Sequence, residues 1–233
     1  MITQLSYALE CAIAIGYPPY QYSLEGYPAG IDIRLMKKLN EIDGFDFVAK
    51  PMPWQDALSK LFYTDNLKCV FGMERTPDRE KKYLLTSTLY KRHSVLFVLA
   101  DSPINKTIDL ISKKVATDSD SALELELKSS KKLKDIRFVT TRSKAESIHM
   151  LQTGEVLGAI MPYRVGKYLA RELAIDLKIL KKAKTETEVA IAFNKDDKKT
   201  FEAVQKLLDK LDKKELKEAL VYKSNIDIKE NIE

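Results

Sequence analysis

Apolar positions along the chain come in short blocks that switch between two spacings. LECAIAIGY (9–17) is almost unbroken and predicts a buried strand ending at Gly16. After the turn-rich YPPYQYSLEGYPAG, the pattern becomes helical from Ile31, with Leu35, Met36, Leu39 and Ile42 on one face and Gly44 just past the end. FDFVAK (45–50) predicts a short strand. In WQDALSKLF (54–62), Trp54, Ala57, Leu58, Leu61 and Phe62 form one stripe of an amphipathic helix. LKCVFGM (67–73) predicts a third strand, and TPDREKKY a helix after it. Thr76 suits the N-cap, Pro77 the first helical position and Asp78 the first turn. Arg79 does not suit its place, because the positive end of a helix disfavours a cation.

The second half repeats the rhythm. Strands are expected at HSVLFVLA (93–100), SKKVATD (112–118), IRFVTT (136–141), LGAIM (157–161), LKIL (177–180) and EVAIAF (188–193). SALELELK (121–128) alternates as a strand would, yet Ser121 and Glu124 form a capping box, which predicts a helix. SKAESIHMLQTG (143–154) carries a second box, Ser143 with Glu146. YRVGKYLAREL (163–173) is helical, and two helices close the chain at about 198–211 and 213–222. This succession predicts an α/β architecture with mainly parallel sheets. Two blocks, roughly 9–85 and 112–180, show no mutual repeat, and two small doubly wound sheets fit them better than one large sheet. Ligands in such folds bind beyond the carboxyl ends of strands, with interdomain clefts favoured.

Composition adds boundaries. The 233 residues are 45% hydrophobic and 31% charged, as expected of a globular chain with an ample core. Net charge is +5, but 39 basic residues are mixed with 34 acidic ones, and runs such as KSSKKLKD (128–135) read as solvated surface. A nucleic-acid groove would show one-sign patches with interleaved aromatics, so no nucleic-acid partner is expected. SVLFVLA (94–100) is far short of a membrane span, and MITQLSYALE lacks the basic start and apolar stretch of a signal peptide. Such a chain is either cytoplasmic or trimmed of what preceded it. Cys11 and Cys69 each lie in an apolar strand and read as buried free thiols, with a disulfide as the alternative.

Enzymatic signatures are scarce. There is no G-x-G-x-x-G, no phosphate loop and no metal spacing around His93 or His149, so neither cofactor nor metal is expected. What stands out lies at strand ends. YPPY (17–20) sets Tyr17 and Tyr20 around a rigid turn after the first strand. Trp54 starts the helix after the second, and Gly72 to Arg79 follows the third. Each alone is as well explained by packing or by a surface ion pair. Together at one sheet edge they point to a small-ligand cleft.

These residues carry a resemblance. YPPYQYSLEGYPAGIDIRLMKKL resembles the opening of the type II extracytoplasmic solute-binding proteins of the amino-acid class, bacterial family 3. WQDALSKL, GMERTPDREKKYLLTSTLY, SKKVATDSDSALE and LQTGEVLGAIM resemble later segments of the same family, in order, over about residues 9 to 221. The resemblance implies two lobes joined by a two-strand hinge. Lobe one would span about 1–90 plus 190–233 and lobe two about 95–183, with crossings near 90–94 and 184–189. It further implies that Arg79 clamps a ligand carboxylate while Trp54 and Tyr17, beside Tyr20, sandwich the ligand body. Backbone groups from Gly72 through Met73 to Glu74 would add hydrogen bonds, and Ser121 with Ala122 would form a second anion site. Where the family holds a ligand ammonium with Asp residues, this chain has Ala14 and Pro162; it has Leu157 for the Asp of the strand entry, and Glu74 for a Ser or Thr. These departures turn the expected ligand from a free α-amino acid to a small carboxylate, or to an amino compound read differently.

The resemblance places the protein in the periplasm or outside the cell. It would work either as the sensor domain of a membrane signalling receptor or as the solute receptor of an ABC transporter permease. The chain lacks the Lys-Trp-Phe-Gly-like ending of many transport receptors, and KYLARELAIDLKIL and LLDKLDKKELKEAL look more like sensor domains. Cyclohexadienyl dehydratases share the fold and supply an enzymatic alternative, for which Glu74 is the one candidate acid.

Overall fold

The computed structural model describes residues 7–42, 45–64, 66–118 and 121–220. Gly44 and the last two residues expected in the closing helix lie outside them. In chain order the first block contains β1 (Tyr7–Ala14), a hairpin of β2 (Tyr22–Leu24) and β3 (Tyr27–Ala29), α1 (Ile31–Asn40), β4 (Phe45–Met52) and α2 (Trp54–Tyr63). It continues through β5 (Cys69–Glu74), α3 (Pro77–Lys82), β6 (Tyr83–Leu85) and β7 (Tyr90–Arg92). The second block contains β8 (Ser94–Leu99), β9 (Lys114–Thr117), α4 (Ala122–Lys128), β10 (Arg137–Thr140), α5 (Lys144–Gln152), β11 (Gly158–Pro162), α6 (Tyr163–Glu172) and β12 (Leu177–Lys182). The strand β13 (Thr187–Asn194) and helices α7 (Lys198–Leu208) and α8 (Lys213–Leu220) follow.

Apart from the β2–β3 hairpin, two sheets result, each the centre of an α/β lobe. One has the order β4-β1-β5-β13-β6, with β7 also paired to β13; the other has the order β10-β9-β11-β8-β12. The chain passes from the first sheet to the second between Arg92 and Ser94 and returns between Lys182 and Thr187. Pairing is parallel through β4-β1-β5 and β10-β9-β11, but β13 and β8 run antiparallel to every neighbour. The mainly parallel expectation thus holds for half of each sheet. A strand arriving from the other lobe enters from the opposite end, which no local pattern records.

Both faces of the central strands are buried, as in doubly covered sheets. On β1, Leu9, Cys11 and Ile13 pack with Leu35, Met36, Leu39 and Val204, while Ala12 faces Ala57 and Leu61 of α2. On β8, Val95 and Phe97 join one cluster and Leu96 and Val98 another. The apolar stripe of α2 stops at Leu61. Phe62, expected inside, is 47% exposed and meets Tyr63 and Tyr83 edge-on, because α2 ends one residue later.

Three local expectations have clear outcomes. Cys11 and Cys69 are not free thiols: they are register partners on β1 and β5, with Cα atoms 4.5 Å apart, and form a disulfide. The stretch does form a helix, α4 (Ala122–Lys128), in which Leu123 and Leu127 bury one face. Ser121 makes no capping bond, however; its hydroxyl lies 3.2 Å from that of Thr117. Ser143 does cap α5, accepting from the Glu146 N–H at 3.1 Å, while the Glu146 carboxylate accepts from the Arg142 N–H at 2.6 Å.

Candidate functional site

Strand ends of the first sheet face lobe two across a narrow cleft. Ala14, Tyr17, Gln21, Trp54, Gly72, Glu74, Arg79 and Arg92 line one side and Asp118 the other. Local structure explains how each charged group gets there. Thr76 caps α3 by accepting from the Arg79 N–H at 3.4 Å, which starts the helix immediately after β5. The Arg79 side chain turns back over that start. Its Nη1 donates to the Glu74 carbonyl at 3.2 Å, and its guanidinium carbon stands 5.7 Å from the Trp54 ring centre. Such a cation–π contact is stronger when partly desolvated, and Arg79 is only 6% exposed.

Arg92, at the last position of β7, is the residue the sequence did not reveal. It is buried, its Nε donates to Glu74 Oε1 at 3.1 Å, and its Nη2 donates to the Gly72 carbonyl at 3.3 Å. The rings of Tyr17 and Tyr20 lie 5.0 and 5.5 Å from its guanidinium carbon. Glu74 is therefore flanked by two guanidiniums, with Arg79 Nη1 3.9 Å from Oε2. Burial would raise the Glu74 pKa, but Arg92 and then Arg79 outweigh it and hold the carboxyl below its ordinary range.

Below the cleft floor lies a second polar layer. Gly72 has a φ of 80°, and a Cβ there would collide with the Gln21 amide. The space a Cβ would take is filled by the Gln21 and Asp32 side chains. The Gln21 amide nitrogen donates to Asp32 Oδ2 and, at 2.9 Å, to the Phe71 carbonyl, while the Tyr90 hydroxyl donates to Asp32 Oδ1 at 2.9 Å. Burial pushes Asp32 up to a pKa of about 6, against the opposing pull of these bonds and of Arg92. Folded Asp32 then keeps its proton between its ordinary 3.8 and about 6, where the unfolded chain releases it, so stability falls as pH rises through that window. Relative to Asp32→Asn, wild-type stability should drop by up to about 3 kcal/mol between roughly pH 4 and pH 6. Urea denaturation at stepped pH measures this, and a difference that stays flat would refute it.

Across the cleft, Asp118 is paired with Lys144 at 2.7 Å, and Lys144, fully buried, also donates to the Ile160 carbonyl at 3.0 Å. The remaining expected site residues are placed as follows. Tyr17 and Trp54 line the cleft together. Tyr20 is stacked on Tyr90 at 5.4 Å, beneath Arg92. Met73 points into the core with Ala57 and Leu61, and its backbone is paired with Ala190 of β13. The carbonyls of Gly72 and Glu74 are taken by Arg92 and Arg79. Pro162 is buried opposite Ser94 in the β8–β11 ladder. Ser121 faces Thr117, and the Ala122 N–H donates to Glu74 Oε2 at 3.4 Å. Among the described residues, no group of three or more His, Cys, Asp or Glu is placed to hold a metal, and no helix is long and apolar enough to cross a membrane.

Two α/β lobes joined by two crossings, with strand-end side chains gathered between them, define the type II periplasmic binding protein class. The chain matches the model of the bacterial extracellular solute-binding proteins, family 3, over residues 9–223, and it belongs to that family. Solved structures agree on the fold. A histidine kinase sensor domain similar to periplasmic binding proteins superposes with a TM-score of 0.79 at 22% identity, covering 93% of this chain and 94% of that one. The substrate-binding protein of an amino acid ABC transporter gives 0.79 at 22%, covering 91% and 97%. An ancestral amino acid-binding protein, described as a precursor of cyclohexadienyl dehydratase, gives 0.74 at 21%, covering 91% and 93%. No sequence among curated proteins matches significantly.

Proposed function

We propose that the protein binds a small carboxylate-bearing solute in the cleft and closes its two lobes on it. Lobe one would comprise about 1–90 with 190–233 and lobe two about 95–183, hinged at 90–94 and 184–189. The observation that carries this is convergence: two guanidiniums, Arg79 and Arg92, and two rings, Tyr17 and Trp54, meet in one cavity between the lobes. A planar fork fits a carboxylate, and the rings offer faces to the rest of the solute. The module acts outside the cytoplasmic membrane, a setting that suits the Cys11–Cys69 disulfide. Its output goes to a membrane partner: the receptor of which it is the sensor domain, in keeping with the likeness to a kinase sensor domain, or an ABC permease.

Trp54 is the chain's single tryptophan and lines the cleft, so its fluorescence reports occupancy. Titration with organic acids and amino acids should change Trp54 emission for at least one carboxylate, with calorimetry giving a matching affinity. Binding confined to compounds without a carboxylate would defeat the proposal. A dehydratase would need an acid in the cleft, and Glu74, held ionised between two guanidiniums, is a poor proton donor. Prephenate or arogenate incubated with the protein should remain unchanged in absorbance.

A further inference from the structure

The Glu74 carboxylate touches lobe one, the crossing strand at 90–94 and lobe two at once. Oε1 accepts from Arg92 Nε at 3.1 Å and from the Ser94 hydroxyl at 3.3 Å, both on the crossing at 90–94. Oε2 lies 3.9 Å from Arg79 Nη1 in lobe one and accepts from the Ala122 N–H at 3.4 Å in lobe two. The carboxylate is 4% exposed and sits among the donors that a solute carboxylate would need. We propose that Glu74 is a tethered carboxylate that stands in for the solute's own, holding the lobes together until a solute carboxylate expels it. This rests on the carboxylate reading of the cleft given above.

The contacts of Oε2, looser than the Arg92 bond to Oε1, leave room for exchange. Charge-assisted N–H···O bonds settle near 2.7–2.9 Å, roughly, and both contacts to Oε2 are well beyond that. The backbone of Glu74 is held in the sheet, where β5 pairs with β13 at Val189↔Glu74, so its carboxylate can approach these donors only from that anchor. A free carboxylate has no tether and can approach each donor to full bonding distance. Its binding would release Glu74, which lowers apparent affinity by the fraction of molecules in which Glu74 still occupies the donors. Glu74 thereby sets a threshold: weak or badly shaped carboxylates fail to displace it, and a well-fitted one succeeds.

The test uses Glu74→Ala, which leaves the donors in place and removes the tethered carboxylate. By solution scattering, the solute-free variant should have a radius of gyration above that of the wild type, for which a compact chain of this length gives about 17 Å. Acetate should return the radius to the wild-type value and shift Trp54 emission saturably, while chloride at equal ionic strength should do neither. A variant that stays as compact as wild type, or an acetate effect no larger than that of chloride, overturns the proposal. Glu74→Gln, which keeps the side-chain shape, covers the case in which the alanine variant fails to fold. A carboxylate that binds the wild type should bind Glu74→Gln about tenfold or more tightly. Weaker binding by Glu74→Gln overturns the proposal, because Glu74 would then hold the solute and not compete with it. If acetate closes Glu74→Ala while no carboxylate in the panel binds the wild type, the tethered carboxylate stands and the solute reading falls.

Discussion

Arg92→Ala should destabilise the fold by about 3–5 kcal/mol, the usual consequence of stripping one partner from a buried ion pair. Arg92 is 7% exposed and does four things at once. It pairs with Glu74 at 3.1 Å, donates to the Gly72 carbonyl at 3.3 Å, and lies over the rings of Tyr17 and Tyr20. Its removal leaves Glu74 buried with only Arg79, 3.9 Å away, as a nearby cation, and withdraws the positive charge that helps Asp32 ionise. Urea denaturation should show a lower midpoint with an unchanged slope. The double variant Glu74→Gln/Arg92→Ala should recover part of the loss, since no unpaired carboxylate remains. A single-variant loss below about 1 kcal/mol would place the pair among weak surface bridges and contradict its burial.

Arg79→Ala should reduce solute affinity by roughly 10²- to 10⁴-fold. A bidentate clamp provides two charge-assisted bonds of about 1.5–3 kcal/mol each, and each 1.4 kcal/mol is a factor of about ten. The wall would also lose the cation over Trp54, so the variant's resting fluorescence should change as well. Arg79→Lys keeps the charge and loses the planar fork, which predicts an affinity between the two. Calorimetry with whichever carboxylate binds the wild type measures all three. Equal affinity for wild type and Arg79→Ala would remove Arg79 from the site.

Much of this was legible from short stretches. Thr76-Pro77 starts α3 because a cap and a fixed φ act within one turn, and this local geometry brings Arg79 back over the strand end. Tyr17 and Trp54 were readable for the same reason: each immediately follows a strand whose apolar run identifies it. Arg92 was not. In YKRHSVLF it looks like the polar lead-in to a strand, and only the pairing of β7 with β13 places it beneath Glu74. Asp32 sits in the first turn of α1, where an acidic residue is ordinary, and nothing nearby in the chain shows that Tyr90 and Gln21 close over it. The Ser121–Glu124 box failed because a hydroxyl that can cap can also pair elsewhere, here with Thr117.

Local pattern suffices for the strand–helix alternation, the α/β class and the set of residues at strand ends, because periodicity, capping and turn chemistry act over a few residues. Which cysteines meet, which strands run antiparallel and which charges share a cleft follow from the folded chain alone. Those depend on contacts between segments far apart in the chain: Cys11 with Cys69, β5 with β13, and Glu74 with Arg92 and Ala122. Burial then gives such contacts their energy, since a carboxylate out of water must find its donors wherever the fold brings them.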